Sequence, residues 1–307
     1  MSQALNSMNK YIKSKLVLSL DGGGVRVLAG VVFLKKLEVA LGKKVTDVFD
    51  FFIGTSAGGV SALCLACLQM DAEELDEFWS EANISLTMSK SFWDNATVFQ
   101  TKPKYDGIGK HDVLQKYFKD MLLKDSPKPV AVTAYDVEKR QPRLLTSYDD
   151  SNITALKAGT ATSAAPIYYP TENIEDGSWL IDGGVVANNP SLIGYVEAKK
   201  IFKTRDIRVL SIGTGINRRK INGKKSSTWG MVSWFRHDIL GIMTESSMYH
   251  ELLTDLIGEK YLRVNSPTGQ VNRRMDDNSG VNLERINLMG MEWWSEFGDR
   301  ALKLIDK

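Results

Sequence analysis

With 307 residues, 39 Lys plus Arg and 37 Asp plus Glu, the chain is long enough for a sizeable core and carries a net charge of only +2. The near balance argues against nucleic-acid binding, which normally shows a strong basic excess. Apolar content is 43% and charged content 25%, ordinary for a globular protein, and no apolar run approaches the roughly 18 residues that span a bilayer.

In chain order, Lys10, Lys13 and Lys15 precede an apolar run over 16–20 that is too short for the core of a secretory leader. That run reads as a buried strand leading into Asp21-Gly22-Gly23-Gly24, with a helix predicted over 25–41. A second buried strand over 49–53 leads into Gly54-Thr55-Ser56-Ala57-Gly58, and a helix over 58–68 follows. The two cysteines, Cys64 and Cys67, fall in that apolar helix; one C-x-x-C without a second ligand cluster predicts core residues rather than a metal or redox site. Residues 71–83 are helical, with Leu75, Phe78 and Trp79 on one face; 85–106 are irregular and aromatic-rich, and 111–123 are helical again.

Strand character returns over 130–135 and 143–147, and a small-residue helix over 153–165 stops at Pro166. A short strand over 179–181 runs into Asp182-Gly183-Gly184, and a helix covers 190–202. A buried strand over 207–212 ends in Gly213-Thr214-Gly215; then 217–227 is basic and loop-like, and 229–257 helical. Short apolar strands alternating with helices predict an α/β fold, three layers α/β/α around a mainly parallel sheet. Sites in such sheets form at the carboxyl ends of strands, where the glycine turns fall.

The segment Gly54 to Gly58 has the G-x-S-x-G spacing of a nucleophile elbow, in which small residues let the chain turn sharply and expose a serine at a helix N-terminus. The backbone N–H groups of Gly22, Gly23 and Gly24, on residues without a Cβ, suit an oxyanion pocket. A serine needs a base. Of His111, His237 and His250, one of the last two would have to serve in the order Ser, Asp, His of an α/β-hydrolase; neither is flanked by turn glycines, and both lie in helical surroundings. Asp182 is the stronger candidate: it ends a strand, Gly183 and Gly184 let its carboxylate reach into a site, and partial burial would raise its pKa toward a useful range.

Taken together, Asp21-Gly22-Gly23-Gly24-Val25-Arg26, Gly54-Thr55-Ser56-Ala57-Gly58-Gly59 and Asp182-Gly183-Gly184 resemble the motifs of the patatin family of lipid acyl hydrolases. Ala161-Thr162-Ser163-Ala164-Ala165-Pro166, Asn188-Asn189-Pro190 and Ser211-Ile212-Gly213-Thr214-Gly215 are similar too, so the likeness spans roughly residues 15 to 215. The resemblance implies a Ser56–Asp182 dyad without histidine, an oxyanion hole at Gly22, Gly23 and Gly24, and Arg26 near an anionic head group. It also implies an N-terminal extension over 1–14 and one catalytic domain over 15–307, with core motifs in 15–215 and a helical C-terminal part over 228–307. One departure is Val27, where the family usually has glycine.

The expected activity is phospholipase A-type cleavage of membrane phospholipid by a carboxylic ester hydrolase that uses no metal and no cofactor. Lysophospholipid, neutral glyceride and acyl-CoA are alternative substrates for the same dyad, and an inactive lipid- or partner-binding scaffold is the alternative of another class. The expected location is cytoplasmic and peripheral at membranes. Two aromatic groups suit a lipid interface: Phe92, Trp93 and Phe99, and Trp229, Trp234 and Phe235 beside Arg236. The basic run Arg218, Arg219, Lys220, Lys224 and Lys225 suits anionic lipid or, as in regulated toxins and defence effectors of the family, an activating ligand or protein.

Overall fold

In the computed structural model, residues 14–89, 102–149, 151–218, 220–230, 233, 241–242, 248–272 and 274–306 are described. The expected aromatic contacts Phe92, Trp93, Phe99, Trp234 and Phe235, together with Arg219, Arg236 and His237, lie outside them.

The sheet comprises β1 (Lys15–Leu20), β2 (Phe51–Thr55), β3 (Val130–Asp136), β4 (Gln141–Thr146), β5 (Glu172–Asn173), β6 (Trp179–Asp182), β7 (Ile207–Ile212) and β8 (Tyr261–Val264). Its order is β5-β6-β3-β2-β1-β7-β8, with β4 also on β3. The run from β3 through β2, β1 and β7 to β8 is parallel, whereas β4, β5 and β6 join antiparallel. Alternation along β1 divides two cores. Leu16, Leu18 and Leu20 pack in the larger one with residues of helices α1 (Val27–Leu41), α2 (Ser56–Leu68) and, near the C-terminus, Gly280–Asp306. Val17 faces the other core, with Tyr195 and Ala198 from Ser191–Phe202 and Leu253 from Met248–Ile257. Helices thus cover both faces, the three-layer α/β/α arrangement expected from the sequence.

One feature of the register governs the rest. Along β3, β4 occupies one edge from Ala131 to Asp136. A strand has only two edges, so β2 and β6 must share the other. β2 pairs there through Thr55 opposite Thr133, and β6 takes over at the next residue, with Asp182 opposite Ala134. The end of β2 and the end of β6 therefore meet head on at one seam.

Several boundaries differ from the sequence reading. The helix expected over 71–83 is two, α3 (Ala72–Phe78) and α4 (Glu81–Thr87). Asp71 and Glu74 form a reciprocal cap at the start of α3, and the Trp79 indole N–H at its end donates to Ser61 Oγ (2.9 Å), drawing the ring onto α2 before the chain restarts. The helix expected over 111–123 is α5 (Ile108–Phe118); it begins earlier because Gly107 takes a left-handed φ of 81° and Asp106 accepts the Ile108 N–H. The helix over 153–165 is the shorter α6 (Ala155–Thr162), capped by Thr154, and 190–202 appears as α7 (Ser191–Phe202). Of 229–257, Met248–Ile257 is helical (α8), and the long final helix is α9 (Gly280–Asp306). The strand β8 between them had no counterpart in the sequence reading. Cys64 and Cys67 are both buried in α2, where burial pushes the Cys67 thiol up to about 11. None of the described helices is long and apolar enough to cross a membrane.

Candidate active site

At the seam, β2 passes directly into α2, and Ser56 takes the turn with φ 55°, a left-handed value seldom adopted by a side-chain-bearing residue. The surroundings enforce it. A Cβ on Gly54 would collide with the Gly58 backbone, and one on Gly58 with the carbonyls of Leu20 and Asp21, so the elbow is pressed against the first glycine turn. The Ser56 N–H donates to Thr162 Oγ1 (3.0 Å), whose hydroxyl donates to the Thr133 carbonyl (2.7 Å). Ser56 also opens the 13-residue α2, whose dipole puts positive potential at that end.

Across the seam, Asp182 is 4% exposed; its N–H donates to the Ala164 carbonyl (3.0 Å), and its Oδ1 accepts the Gly184 N–H (2.7 Å). Gly183 is needed because a side chain there would meet Thr133. Burial pushes the Asp182 carboxyl up to about 6, while a hydrogen bond from the Ser56 side chain, the Gly184 N–H and the Lys110 charge each pull it down. The nucleophile candidate and the carboxylate thus line the same cavity, near enough for the serine side chain to lower the carboxyl pKa.

The three glycines of the first turn do not behave alike. Gly22 donates its N–H to the Asn188 carbonyl (3.3 Å), so that amide is already occupied. Its lack of a Cβ matters instead, since one would stand 3.0 Å from Ser56 Cβ. Gly23 and Gly24 line the cavity beside Ser56 and, among the described residues, their N–H groups donate to no protein acceptor. The turn is held from behind: Thr214 Oγ1 and Asn188 Nδ2 donate to the Gly22 carbonyl (2.8 and 3.2 Å), and Val25 N–H donates to the Met275 carbonyl (2.9 Å). Arg26 does not reach the cavity. It is 6% exposed, packed beneath the turn with Nε donating to the Gly23 carbonyl (3.4 Å).

Ser56, Asp182, Gly23 and Gly24 open into one cavity of about 160 Å³. Its far walls are apolar, built by Val60, Phe78, Ile84, Val113 and Leu114 from the helices over that face of the sheet. This shape suits an acyl chain that enters with its ester at the polar end. Lys110, buried in the same wall, donates to the Thr160 and Ser163 carbonyls (3.2 and 3.1 Å) and sits 4.0 Å from the centre of the Tyr169 ring. Burial pushes its ammonium down to about 8, against the pull of Glu172 and Asp182. Among the described histidines, neither lines this cavity: His111 is exposed near Asp112, and His250 lies against Tyr261. No cluster of metal-ligating side chains occurs among the described residues.

A sequence profile described as patatin-like phospholipase matches residues 18–193, more than half of the chain. The chain belongs to the patatin-like phospholipase family. Similar relatives include "Patatin-like protein 4" of Arabidopsis thaliana, 31% identical over 93% of this chain and 84% of that protein. Another is a "cGAMP-activated phospholipase" of Pseudomonas aeruginosa, 30% identical over 81% of this chain and 77% of that protein. Among solved structures, VipD from Legionella pneumophila matches with a TM-score of 0.55, covering 96% of this chain and 67% of that one; at 13% identity it speaks to the fold alone.

Within this patatin-like frame, three groups escaped the sequence reading. Arg263, at the centre of β8, donates from Nη1 to Asp21 Oδ1 (2.7 Å) and from Nη2 to Asp21 Oδ2. It thereby holds the residue that begins the glycine turn, although burial still leaves the Asp21 carboxyl raised. Lys110 carried no signal beyond its place on a helix. Met275 and Asp276 lie far beyond the recognisable motifs, yet both line the cavity. For Arg263, Lys110 and Asp276 the signal would have been a charge that the fold encloses, which a local stretch of sequence does not reveal.

Proposed function

We propose that the chain is a serine lipid acyl hydrolase of phospholipase A type, acting through Ser56 and Asp182. The observation that carries this reading is the convergence of these groups on one apolar cavity: a serine at positive φ, a carboxylate with its pKa raised to about 6, and two amides that donate to no described acceptor. Ser56 Oγ attacks the ester carbonyl carbon as Asp182 takes its proton. The carbonyl oxygen becomes an oxyanion held by the N–H groups of Gly23 and Gly24. Collapse of this intermediate breaks the bond to the lipid alcohol, which receives the proton from Asp182 and leaves. Asp182 then takes a proton from water as the water attacks the acyl-enzyme, and returns it to Ser56 Oγ as the second tetrahedral intermediate collapses and the fatty acid leaves. A base near 6 is better matched to neutral pH than an ordinary carboxylate near 4.

The substrate is proposed to be drawn from a membrane, with peripheral contact at the cavity, whose lining residue Val185 is 45% exposed; Ile167, between the lining residues Pro166 and Tyr168, is 42% exposed. The relative named as cGAMP-activated also gives the basic run a proposed use, with Arg218, Lys220, Lys224 and Lys225 holding an anionic activator. Mass spectrometry of a phospholipid mixture tests the main reading. Wild-type protein should release fatty acid and lysophospholipid, and Ser56→Ala should lower the release by at least about 10³-fold. Equal release by both would overturn it.

A further inference from the structure

A head-group site can be found by asking which charges stand beside the oxyanion turn, since the phosphate of a glycerophospholipid lies only a few bonds from its scissile ester. Arg26 is excluded by its burial under the turn. The segment around Met275 takes the place beside it. Met275 accepts the Val25 N–H, and a side chain on Gly24 would strike its backbone, so the two stretches touch. Its neighbours are Arg274 and Asp276.

Asp276 is 8% exposed in the cavity wall and collects three donors: the Tyr105 hydroxyl (2.8 Å), the Lys104 ammonium and Arg274 Nε (3.3 Å). Lys104 also lies over the rings of Tyr105 and Tyr168, at 5.1 and 5.7 Å from their centres. Although burial opposes it, Lys104, Tyr105 and Arg274 hold the Asp276 carboxyl below its ordinary range, so it remains an anion. Two cations thus share the Asp276 carboxylate, while the neighbouring Asp277 carboxylate accepts from Asn272 Nδ2 and the Ser279 N–H (2.7 and 3.1 Å). The Arg274 side chain is 62% exposed and only its Nε is committed, so among the described residues its terminal nitrogens donate to no protein acceptor. A guanidinium offers a planar fork that fits two phosphate oxygens at once. Asp276 fixes its near side, and Lys104 cancels the repulsion this carboxylate would otherwise exert on an incoming phosphate.

We infer that Arg274, oriented by Asp276 and backed by Lys104, is the phosphate-recognition group for the substrate, and selects glycerolipids bearing a phosphodiester over neutral glycerides. This rests on the acyl-hydrolase reading of Ser56. The test compares kcat/KM for phosphatidylcholine and for diacylglycerol of matched chains, each dilute in the same nonionic micelle, with wild type, R274Q and R274K. The phosphatidylcholine-to-diacylglycerol ratio should fall about tenfold in R274Q, the worth of one charge-assisted hydrogen bond, and recover in part in R274K. An unchanged ratio, including a parallel loss on both lipids, would overturn the assignment and leave the acyl-hydrolase reading standing. Wild type inactive on both lipids would remove that reading and this one with it. Inorganic phosphate that stimulates diacylglycerol hydrolysis in wild type but not in R274Q would point to a free-anion site and overturn the substrate role.

Discussion

Asp21 and Arg263 are joined through both carboxylate oxygens although they lie 242 positions apart. Asp21 directly follows β1 and begins the glycine turn; Arg263 comes from β8, two strands away across β7. Arg263 Nη1 also donates to Ser211 Oγ (2.7 Å) on the intervening strand. The turn that presents Gly23 and Gly24 is therefore fixed from outside the segment that carries the family motifs.

Breaking this pair should be costly, because the partner left behind is a buried charge. Arg263→Met is expected to destabilise the fold by about 3–5 kcal/mol in urea unfolding. Adding Asp21→Asn should restore part of the loss, since no stranded carboxylate remains. A single substitution with no effect on stability would contradict the positioning role.

Activity should depend on the ionisation of Asp182. The base must be unprotonated to accept the Ser56 proton, so kcat/KM is lost as pH falls through about 6 and reaches a plateau above it. Lys110 pulls that pKa down, so Lys110→Met should move the acidic limb to higher pH. Rate profiles from pH 4.5 to 8 decide this; a limb near 4, or one that moves to lower pH in the variant, would contradict it.

The same shift has an opposite consequence for stability. The folded-state pKa of Asp182 is about 6, above its unfolded value of 3.8, so ionisation penalises the folded form. The penalty is absent below the unfolded pKa and fully present above about 6. Asp182→Asn keeps an acceptor for the Gly184 N–H and removes the charge, so it should be inactive yet more stable at pH 8, by on the order of 1–3 kcal/mol. Thermal unfolding at pH 8 and pH 4.5 should show the gain shrinking in acid.

Gly58→Ala tests the fit of the elbow against β1. Its Cβ would press on the Leu20 and Asp21 carbonyls, which belong to a strand and cannot rotate away. A loss of about 1–3 kcal/mol is expected, the usual cost of overpacking, whereas Gly223→Ala, with nothing within 4 Å of the new atom, should be nearly neutral. Equal melting temperatures for the two would refute the argument.

Much of this architecture was legible in the chain because the decisive features are local. Ser56 is announced by glycines two residues to either side, Asp182 by the two that follow, and strands β1, β2 and β7 by short, mostly apolar runs. The elements that were not legible depend on distant partners. β8 is four residues long and carries an arginine, whose partners Asp21 and Ser211 lie on other strands or their ends and are brought beside it only by the fold. Lys110 looks like any polar position of an amphipathic helix until Thr160, Ser163 and Tyr169 close around it. Arg26 shows the converse: its charge is plain in the sequence, but the direction of its side chain is set by the packing under Gly23.

The most direct measurement is covalent. A fluorophosphonate reacts with a serine whose proton is being withdrawn and whose developing oxyanion is held. Intact mass and peptide mapping should show one adduct on Ser56 in the wild-type protein, none in Ser56→Ala and much slower labelling in Asp182→Asn. Labelling on another residue, or at an undiminished rate once Asp182 is replaced, would contradict the pairing on which the account is built.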